Sequence, residues 1–203
     1  YFGHSISAKD NRLLIGSRNG NLAALYEYNN SAWEEKHVFT AEKYQSKGRY
    51  GYSVKLSDDR AIIGYPGYNS YGSFDIYQLE NGDWSKKAEV FNPNEVKGSY
   101  FASAISMHDE HLLVGDYNGE RSYLYEIKND NYSLIQTFES PDLLNEGKFG
   151  RTVDVKSGQL IIGATYGEKA YVYEMNESGD WSLSGDISSD NRSQSITGKK
   201  YPC

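Results

Sequence analysis

The sequence predicts an all-β protein made of four copies of one four-stranded antiparallel sheet, and three observations support this prediction. A short apolar run that ends in glycine recurs at a period of about 49 residues, as "LLIG", "AIIG", "LLVG" and "LIIG". Polar and apolar residues alternate before and after each copy, which is the pattern of a strand with one buried face. Tyrosine and glycine are abundant, with 19 and 20 residues, and this composition favours strands over a helical bundle. Sheets repeated at about 40 to 50 residues are typical of propeller blades, so the predicted fold is a β-propeller.

The repeat divides a single predicted domain, residues 1–203, into four units. Their bounds are about 2–49, 50–100, 101–148 and 149–200. The first predicted strand of each unit alternates with period two and opens on an aromatic residue, which is Phe2, Tyr50, Phe101 or Phe149. A two-residue polar turn, such as "DN" at 10 and 11, then leads into the apolar run as in a β-hairpin.

The apolar run is the second predicted strand, and its continuous hydrophobicity indicates burial on both faces. Its last residue is a glycine in every unit, which permits either the close approach of another backbone or a turn with positive φ. These glycines are Gly16, Gly64, Gly115 and Gly163. An alternating third strand and a fourth strand that opens on Trp33, Trp84, Tyr132 or Trp181 complete each unit. The four units therefore predict sixteen strands, and no segment shows a sustained helical period.

An opening aromatic-glycine pair, the apolar run with its glycine, and a later Y-x-Y together resemble the FG-GAP repeat of the integrin α-subunit propeller and its bacterial and protist relatives. The pair occurs as "FG" at residue 2, "YG" at residue 50 and "FG" at residue 149, and the third unit departs from it with Ala102. The resemblance extends over nearly the whole chain. It implies a propeller outside the cell or at its surface, usually closed by seven blades.

Calcium-binding members of that family carry an acidic loop before the apolar strand, because Ca²⁺ takes about six to eight oxygen ligands. The equivalent connections here, such as "SDDR", supply at most two carboxylates each. We therefore expect no calcium in these turns, and no other metal or cofactor. Asp58 and Asp59 are the least unsuitable pair.

Two architectures are consistent with four repeats: a closed four-bladed disc, and part of a larger seven-bladed propeller. The segment "TGKKYPC" at 197–203 resembles the start of a fifth unit, and the chain begins at Tyr1 without a methionine, which suggests a processed form or a piece of a longer protein. An open arc would expose blade faces on the order of several hundred Å². We therefore expect closure, or assembly with further repeats or other chains.

Composition argues against several classes of partner. The formal net charge of -7 repels nucleic acid, and no local basic run offsets it. No apolar stretch approaches the roughly 18 residues that a membrane helix needs, so we expect no membrane insertion. The single cysteine, Cys203, cannot form an internal disulfide, and it is either a free terminal thiol or a link to another chain.

The sequence carries no recognisable catalytic motif. G-x-S-x-G, H-E-x-x-H and the phosphate-binding G-x-x-x-x-G-K-[ST] are absent. His108 and His111 flank a turn at a spacing that a metal could use, but the other units lack matching ligands, and a solvated turn is the simpler interpretation. Glu34 and Glu35 are adjacent on a strand and so point to opposite faces. We therefore predict that the chain is not an enzyme.

The loop after the apolar run is the richest candidate for recognition, because its tyrosine, asparagine and arginine residues suit protein or carbohydrate ligands. The candidate ligand-binding residues are Arg18, Asn19, Tyr65, Tyr68, Tyr71, Tyr117, Asn118 and Tyr166. The alternative is that many of these rings pack between blades. Four N-x-[ST] sequons, which are candidate glycosylation sites in a secreted protein, lie at Asn29, Asn131, Asn176 and Asn191.

These observations favour a non-catalytic recognition or adhesion module, extracellular or at the cell surface, that binds protein or carbohydrate or serves as a subunit of a surface assembly. The alternative from another class is a propeller enzyme, a lyase or hydrolase that acts on glycans through carboxylates at the axis. A third hypothesis is a purely structural module. Converging carboxylates or histidines at the axis would favour the enzyme, and a ring of tyrosine, asparagine and arginine would favour binding.

Overall fold

The computed structural model describes residues 1–41, 49–67, 71–96, 98–128, 131–142 and 147–188, and these residues form sixteen strands. The strands make four antiparallel sheets of four, each with its strands in chain order. The predicted number and grouping of the strands are therefore confirmed. In the described part of the chain, no helix has the length and apolar character that a membrane crossing requires.

Each sheet is one blade, and the blades are numbered along the chain. Blade 1 contains β1 (Phe2–Lys9), β2 (Arg12–Ser17), β3 (Leu22–Tyr28) and β4 (Trp33–Thr40). Blade 2 contains β5 (Ser53–Leu56), β6 (Arg60–Tyr65), β7 (Ser73–Glu80) and β8 (Asp83–Phe91). Blade 3 contains β9 (Phe101–His108), β10 (His111–Asp116), β11 (Arg121–Lys128) and β12 (Asn131–Glu139). Blade 4 contains β13 (Phe149–Lys156), β14 (Gln159–Ala164), β15 (Lys169–Met175) and β16 (Trp181–Ser188).

Tight two-residue turns join the first two strands in blades 1, 3 and 4, whereas three residues, 57–59, separate them in blade 2. In blade 1, Lys9 pairs with Arg12 across such a turn, and Asp10 adopts the left-handed backbone with φ 53°. Asp109 in blade 3 and Ser157 in blade 4 take the same conformation, with φ 51° and 46°. Short polar residues tolerate this conformation better than bulky ones, which explains why the repeat keeps Asp or Ser there.

Neighbouring blades pack face to face in chain order, blade 1 on blade 2, blade 2 on blade 3 and blade 3 on blade 4. We call the side of a blade that faces the preceding blade its front, and the opposite side its back. The apolar run divides between the two sides. Leu14, from the middle of its run, packs backward against Ala61 and Ile63 of blade 2. Leu113 packs in the same way against Ile162 of blade 4, so the alternation of the run fills two interfaces at once.

The opening aromatic residue of each later blade lies in the core in front of it. Tyr50, Phe101 and Phe149 are completely buried, each within the cluster between its own blade and the preceding one. The hydroxyl of Tyr50 also donates a hydrogen bond to the carboxylate of Asp75 at 3.0 Å. The repeat of an aromatic residue at this position therefore supplies each interface with one large apolar side chain.

The motif glycines allow the close approach of two blades. A Cβ atom added at Gly16 would lie 2.1 Å from the carbonyl oxygen of Gly51 in blade 2, and one added at Gly115 would lie 2.1 Å from that of Gly150 in blade 4. Neither glycine has a positive φ. Of the two explanations open from the sequence, close backbone approach is therefore the correct one for these positions.

Serine hydroxyls tie adjacent blades together beside these glycines. Ser5 donates to the carbonyl oxygen of Gly51 at 3.0 Å, and Ser53 donates to that of Ala102 at 2.7 Å. Ala102 replaces the glycine of the other units and keeps their left-handed backbone, with φ 64°. The departure from the repeat at residue 102 thus leaves the conformation of the chain unchanged.

Replacing Ser53 by alanine is expected to lower the free energy of unfolding by about 1 kcal/mol, because the carbonyl oxygen of Ala102 loses its donor in a buried interface. Chemical denaturation of wild type and Ser53→Ala measures the difference. Ser182→Ala, which removes an exposed hydroxyl on β16, serves as the control and is expected to change stability by less than about 0.5 kcal/mol. Equal losses in the two variants would contradict the role of the interblade bond.

Both ends of the stack of blades are uncovered in the described residues. Phe2 is 56% exposed and Ile6 is 73% exposed at the front of blade 1, although Tyr50 occupies the position of Phe2 and is buried in blade 2. Ile161 is 43% exposed at the back of blade 4, whereas its counterpart Leu14 is buried in blade 1. The described blades therefore form an open arc rather than a closed four-bladed disc.

Candidate functional site

One end of the arc brings together residues from all four blades. At this end the first strand of each blade begins and the second strand ends, as the pairing of Phe101 with Asp116 shows. The residues that precede the first strand therefore lie beside the loop that follows the second strand. Seven side chains there form one connected group, which we call the tyrosine-arginine cluster. They are His4, Arg18, Arg49, Tyr52, Tyr100, Tyr117 and Arg151.

The first half of the cluster joins blades 1 and 2. The guanidinium carbon of Arg18 lies 5.4 Å from the centre of the Tyr52 ring, and the ring of His4 meets the same tyrosine edge-on at 4.7 Å. The Nε atom of Arg18 is buried and donates to no described group. A buried N–H without an acceptor among the described residues costs free energy.

The second half of the cluster joins blades 2, 3 and 4. Arg49 donates from Nη1 to the hydroxyl of Tyr100 at 2.8 Å. The ring of Tyr100 lies 4.8 Å from that of Tyr117, and the guanidinium carbon of Arg151 lies 4.3 Å from the centre of the Tyr117 ring. Arginines and tyrosines therefore lie side by side across the end of the arc, with cation-π contacts between them.

The cluster is positively charged although the protein as a whole is acidic. In the described part of the chain, no carboxylate forms an ion pair with Arg18, Arg49 or Arg151. Burial, followed by the nearby Tyr52 and Tyr100, raises the pKa of Tyr117 to about 12, so its hydroxyl stays neutral. Burial and then the Arg18 cation lower the pKa of His4, which favours its neutral imidazole.

A buried carboxylate supports the cluster from beneath. One oxygen of Asp116 accepts hydrogen bonds from the backbone N–H groups of Tyr100 and Gly119, both at 3.0 Å. The other accepts from the hydroxyl of Ser99 at 2.5 Å and the amide of Asn92 at 3.1 Å. Asp116 therefore holds two segments in place: the residues that lead into β9, including Tyr100, and the loop that contains Tyr117. Burial raises the pKa of its carboxyl group, against the opposing effect of these four donors.

The tyrosines and arginine predicted from the loops have different environments. Arg18 and Tyr117 belong to the cluster, and both are at least half-buried. Tyr65 is buried in the core between blades 1 and 2, so its ring is not available to a ligand. Tyr71 is half-buried, and Tyr68 lies outside the described residues.

The remaining loop residues lie at the rim of the cluster. Asn19 is exposed. Asn118 donates to the carbonyl oxygen of Gly98 at 2.9 Å and accepts from the ammonium group of Lys148 at 3.0 Å. Tyr166 is 76% exposed, and the Lys148 ammonium lies 5.9 Å from its ring. These residues extend the aromatic and cationic character of the cluster toward blade 4.

Sequence reasoning missed most of the cluster because it considered only the loop after the second strand. Arg49 and Tyr100 immediately precede the first strand or its opening aromatic, and His4, Tyr52 and Arg151 share one position just after that aromatic. The signal that could have found them is the alignment of the repeats, which places three ring or guanidinium side chains in one column at one end of the fold.

Three of the four sequons are exposed in the structure. The side-chain oxygen of Asn29 accepts from the N–H of Ala32 at 3.1 Å, and that of Asn176 accepts from two backbone N–H groups in its turn. Asn131 is the exposed first residue of β12. Asn191 and Cys203 lie outside the described residues. Glycosylation and an intermolecular disulfide stay predictions.

The two carboxylates in the acidic turn of blade 2 form ion pairs with positively charged side chains of the protein. An oxygen of Asp58 lies 3.1 Å from the ammonium nitrogen of Lys9, and one of Asp59 lies 3.4 Å from a guanidinium nitrogen of Arg60. Over the described ranges, no group of three or more His, Cys, Asp and Glu side chains is placed to hold a metal ion.

No protein-family model and no curated protein matches this sequence. Several solved structures match its fold. A protein from Lactobacillus plantarum has a TM-score of 0.66 at 10% identity, over 92% of this chain and 55% of its own. A candidate 6-phosphogluconolactonase from Bacteroides fragilis has a TM-score of 0.67 at 7% identity, over 92% and 56%. Virginiamycin B lyase from Staphylococcus aureus has a TM-score of 0.57 at 15% identity, over 88% and 54%.

Identities this low show the fold alone, which is all-β and propeller-like. This chain spans about half the length of the structures that it matches. The similarity therefore assigns an architecture to the four blades and leaves their activity to be argued from the cluster.

Proposed function

We propose that this chain is a non-catalytic recognition module that acts outside the cell or at its surface and binds an acidic carbohydrate at the tyrosine-arginine cluster. One observation supports this most strongly: three arginines without carboxylate partners among the described residues each contact a tyrosine ring at one end of the arc. Such a group of tyrosine and arginine side chains supports binding over catalysis.

The chemistry of the cluster matches an acidic sugar polymer. Tyrosine rings present apolar faces to the C–H faces of sugars and a hydroxyl to their polar edges. Guanidinium groups recognise carboxylate or sulfate through paired N–H donors. A neutral sugar would leave the guanidinium groups without an anionic partner.

The proposed location rests on the FG-GAP resemblance of the repeats and on the exposure of the sequons at Asn29, Asn131 and Asn176. The same resemblance supports the interpretation that these four blades are part of a larger propeller. An extracellular location is consistent with a surface that binds the acidic polysaccharides that cover cells.

Calorimetric titration tests this proposal with oligogalacturonides as the acidic probe and neutral oligogalactosides of equal length as the comparison. We expect binding of the acidic probe only. Arg151→Ala and Arg49→Ala should each weaken it about tenfold, the effect of losing one charge-assisted pair. Lys128→Ala is the matched control, because it removes one positive charge from an exposed residue at the opposite end of β11.

The proposal is wrong if neither arginine variant differs from Lys128→Ala, or if the neutral probe binds as well as the acidic one. Chromatography of the oligogalacturonides after prolonged incubation addresses the enzymatic alternative. Shortened products, formed by wild type and lost in Arg151→Ala, would establish a glycan lyase or hydrolase in place of a binding module.

A further inference from the structure

The front of blade 1 carries the same kind of apolar residues that form one side of each interface between blades. Phe2 and Ile6 are 56% and 73% exposed there, whereas Tyr50 and Val54 hold the same two repeat positions in blade 2 and are buried against blade 1. The rings of Phe2 and Tyr26 meet edge-on at 6.3 Å on this side. The chain therefore keeps at its first blade the apolar residues that every later blade uses to pack on its predecessor.

The back of blade 4 carries the same kind of apolar residues that form the other side of each interface between blades. Ile161 and Ile187 are 43% and 53% exposed, whereas Leu14 and Phe39 hold these positions in blade 1 and are buried beneath blade 2. In two of the three interfaces inside the arc, an aromatic residue at the second position meets a tyrosine of the next blade. Phe39 meets Tyr77 with ring centres 4.6 Å apart, and Phe138 meets Tyr173 at 4.7 Å. Tyr26 of blade 1 is the counterpart of these tyrosines.

The polar groups of the internal interfaces also recur at the free back of blade 4. Thr152 holds the position of Ser5, which donates to the carbonyl oxygen of residue 51 in the next blade. Asp154 holds the position of Ser106, whose hydroxyl accepts from the N–H of Val155 in the next blade at 3.3 Å. Thr152 therefore offers a donor to a blade that follows blade 4. Asp154 already accepts from the hydroxyl of Ser106 in blade 3 through Oδ1 at 2.7 Å, and its second carboxylate oxygen offers an acceptor.

One charge pair of an internal interface recurs on the two free faces, although Asp10 also lies 3.3 Å from Lys9 of its own blade. Inside the arc, the ammonium of Lys9 lies 3.1 Å from an oxygen of Asp58 in the next blade. Lys156 holds the position of Lys9 at the back of blade 4, and Asp10 holds the position of Asp58 at the front of blade 1. Beside Lys156 lies an open depression of about 370 Å³, lined by Asp154, Lys156, Ser157, Gln159 and Ile161. It lies where the first turn of a following blade would fit.

We propose that the back of blade 4 binds the front of blade 1 of a second copy of this chain, in the geometry that joins the blades within the arc. A contact of this head-to-tail kind either closes into a ring or continues as a filament. Two four-blade arcs contain eight blades, which is within the range of about four to eight at which propellers close. The pairing therefore completes a ring of two copies, with each face buried against its complement.

Light scattering and native mass spectrometry of the full chain test this pairing, in reducing buffer so that Cys203 cannot link copies. Wild type is expected at twice the chain mass of 22.9 kDa. Ile6→Asp removes the front face and Ile161→Asp removes the back face, and each alone should weaken self-association at least about tenfold. Ile135→Asp is the control, because Ile135 is equally apolar and 45% exposed on the outer strand of blade 3.

Mixing the two face variants provides a second readout. Each variant keeps the face that the other has lost, so an equal mixture should regain two-copy complexes that neither forms alone. A wild type that stays a single copy up to about 0.1 mM, a loss of association in Ile135→Asp equal to that in the face variants, or no complex in the mixture would each overturn the pairing. Circular dichroism of every variant separates lost association from lost folding.

Discussion

Gly115→Ala is expected to lower the free energy of unfolding by about 3 kcal/mol, at the upper end of the usual cost of overpacking. The added methyl group would lie 2.1 Å from the carbonyl oxygen of Gly150 in the next blade, far inside van der Waals contact. The two atoms nearest to the added methyl group, the carbonyl oxygen and the carbonyl carbon of Gly150, both belong to the backbone. Gly115 is also paired with Ala104 and Ser122 in its own sheet, so it cannot shift without breaking those pairings.

Gly163→Ala is the matched control, because it changes the same motif glycine in the blade without a successor in the arc. The nearest atom to the added methyl group is the hydroxyl oxygen of Thr152, at 2.3 Å, and the next atom lies at 3.6 Å. A rotation of the threonine side chain relieves the contact, so we expect a loss below about 1 kcal/mol. Urea denaturation of both variants in the Ile6→Asp background, which lacks the proposed pairing, compares their monomers, and equal losses would rule out blade approach as the reason for the glycine.

The same pair of variants also separates folding from association. In the proposed ring, Gly163 would face the carbonyl oxygen of Gly3 of the second copy, as Gly115 faces that of Gly150. Gly163→Ala should therefore weaken the two-copy complex while leaving the monomer folded.

The strands and their grouping could be predicted because the information is local and repeated. The period-two alternation defines each strand, and four aligned copies remove the ambiguity of any single one. The burial of the apolar run in the two inner blades follows in the same way, since Ile62 and Leu113 face the next blade and their neighbours face the preceding one. The open ends could not be predicted, because repeat identity does not say whether the last blade meets the first.

The candidate site could be predicted only in part, because its members come from different blades and different segments. The loop after the second strand supplied Arg18 and Tyr117, but the same reasoning suggested Tyr65, which is the last residue of β6 and points into the core. Arg49 and Tyr100 precede the opening aromatic and reach the cluster only through the contact of blade 2 with blade 3. Such side-chain meetings depend on the angle between blades, which no local pattern encodes.

Asp116→Ala is expected to lower the free energy of unfolding by at least about 3 kcal/mol, because it leaves several buried donors without an acceptor. The donors are the hydroxyl of Ser99, the amide of Asn92 and the backbone N–H groups of Tyr100 and Gly119. The loss of these bonds should also release the chain beneath the cluster. Thermal and urea denaturation measure the stability, and ligand titration measures the cluster.

Asp180→Ala removes an exposed carboxylate before β16 and should change stability by less than about 0.5 kcal/mol. If Asp116→Ala lowered the free energy of unfolding as little, the four hydrogen bonds would make no net contribution to stability.

Asp116→Asn separates the charge of this residue from its shape. Burial raises the pKa of the Asp116 carboxyl group above its ordinary value of 3.8. The folded protein therefore holds this proton more tightly than the unfolded chain, and the group removes stability as the pH rises from the unfolded pKa through the folded one. The unfolding free energy of wild type relative to Asp116→Asn should fall over that interval and be constant above it. A constant difference throughout would show that the ionisation is not coupled to folding.

The other blades have Ser17, Tyr65 and Ala164 at the position of Asp116. A carboxylate that lowers stability when it is charged is therefore specific to blade 3, where it holds Tyr100 and the Tyr117 loop in place.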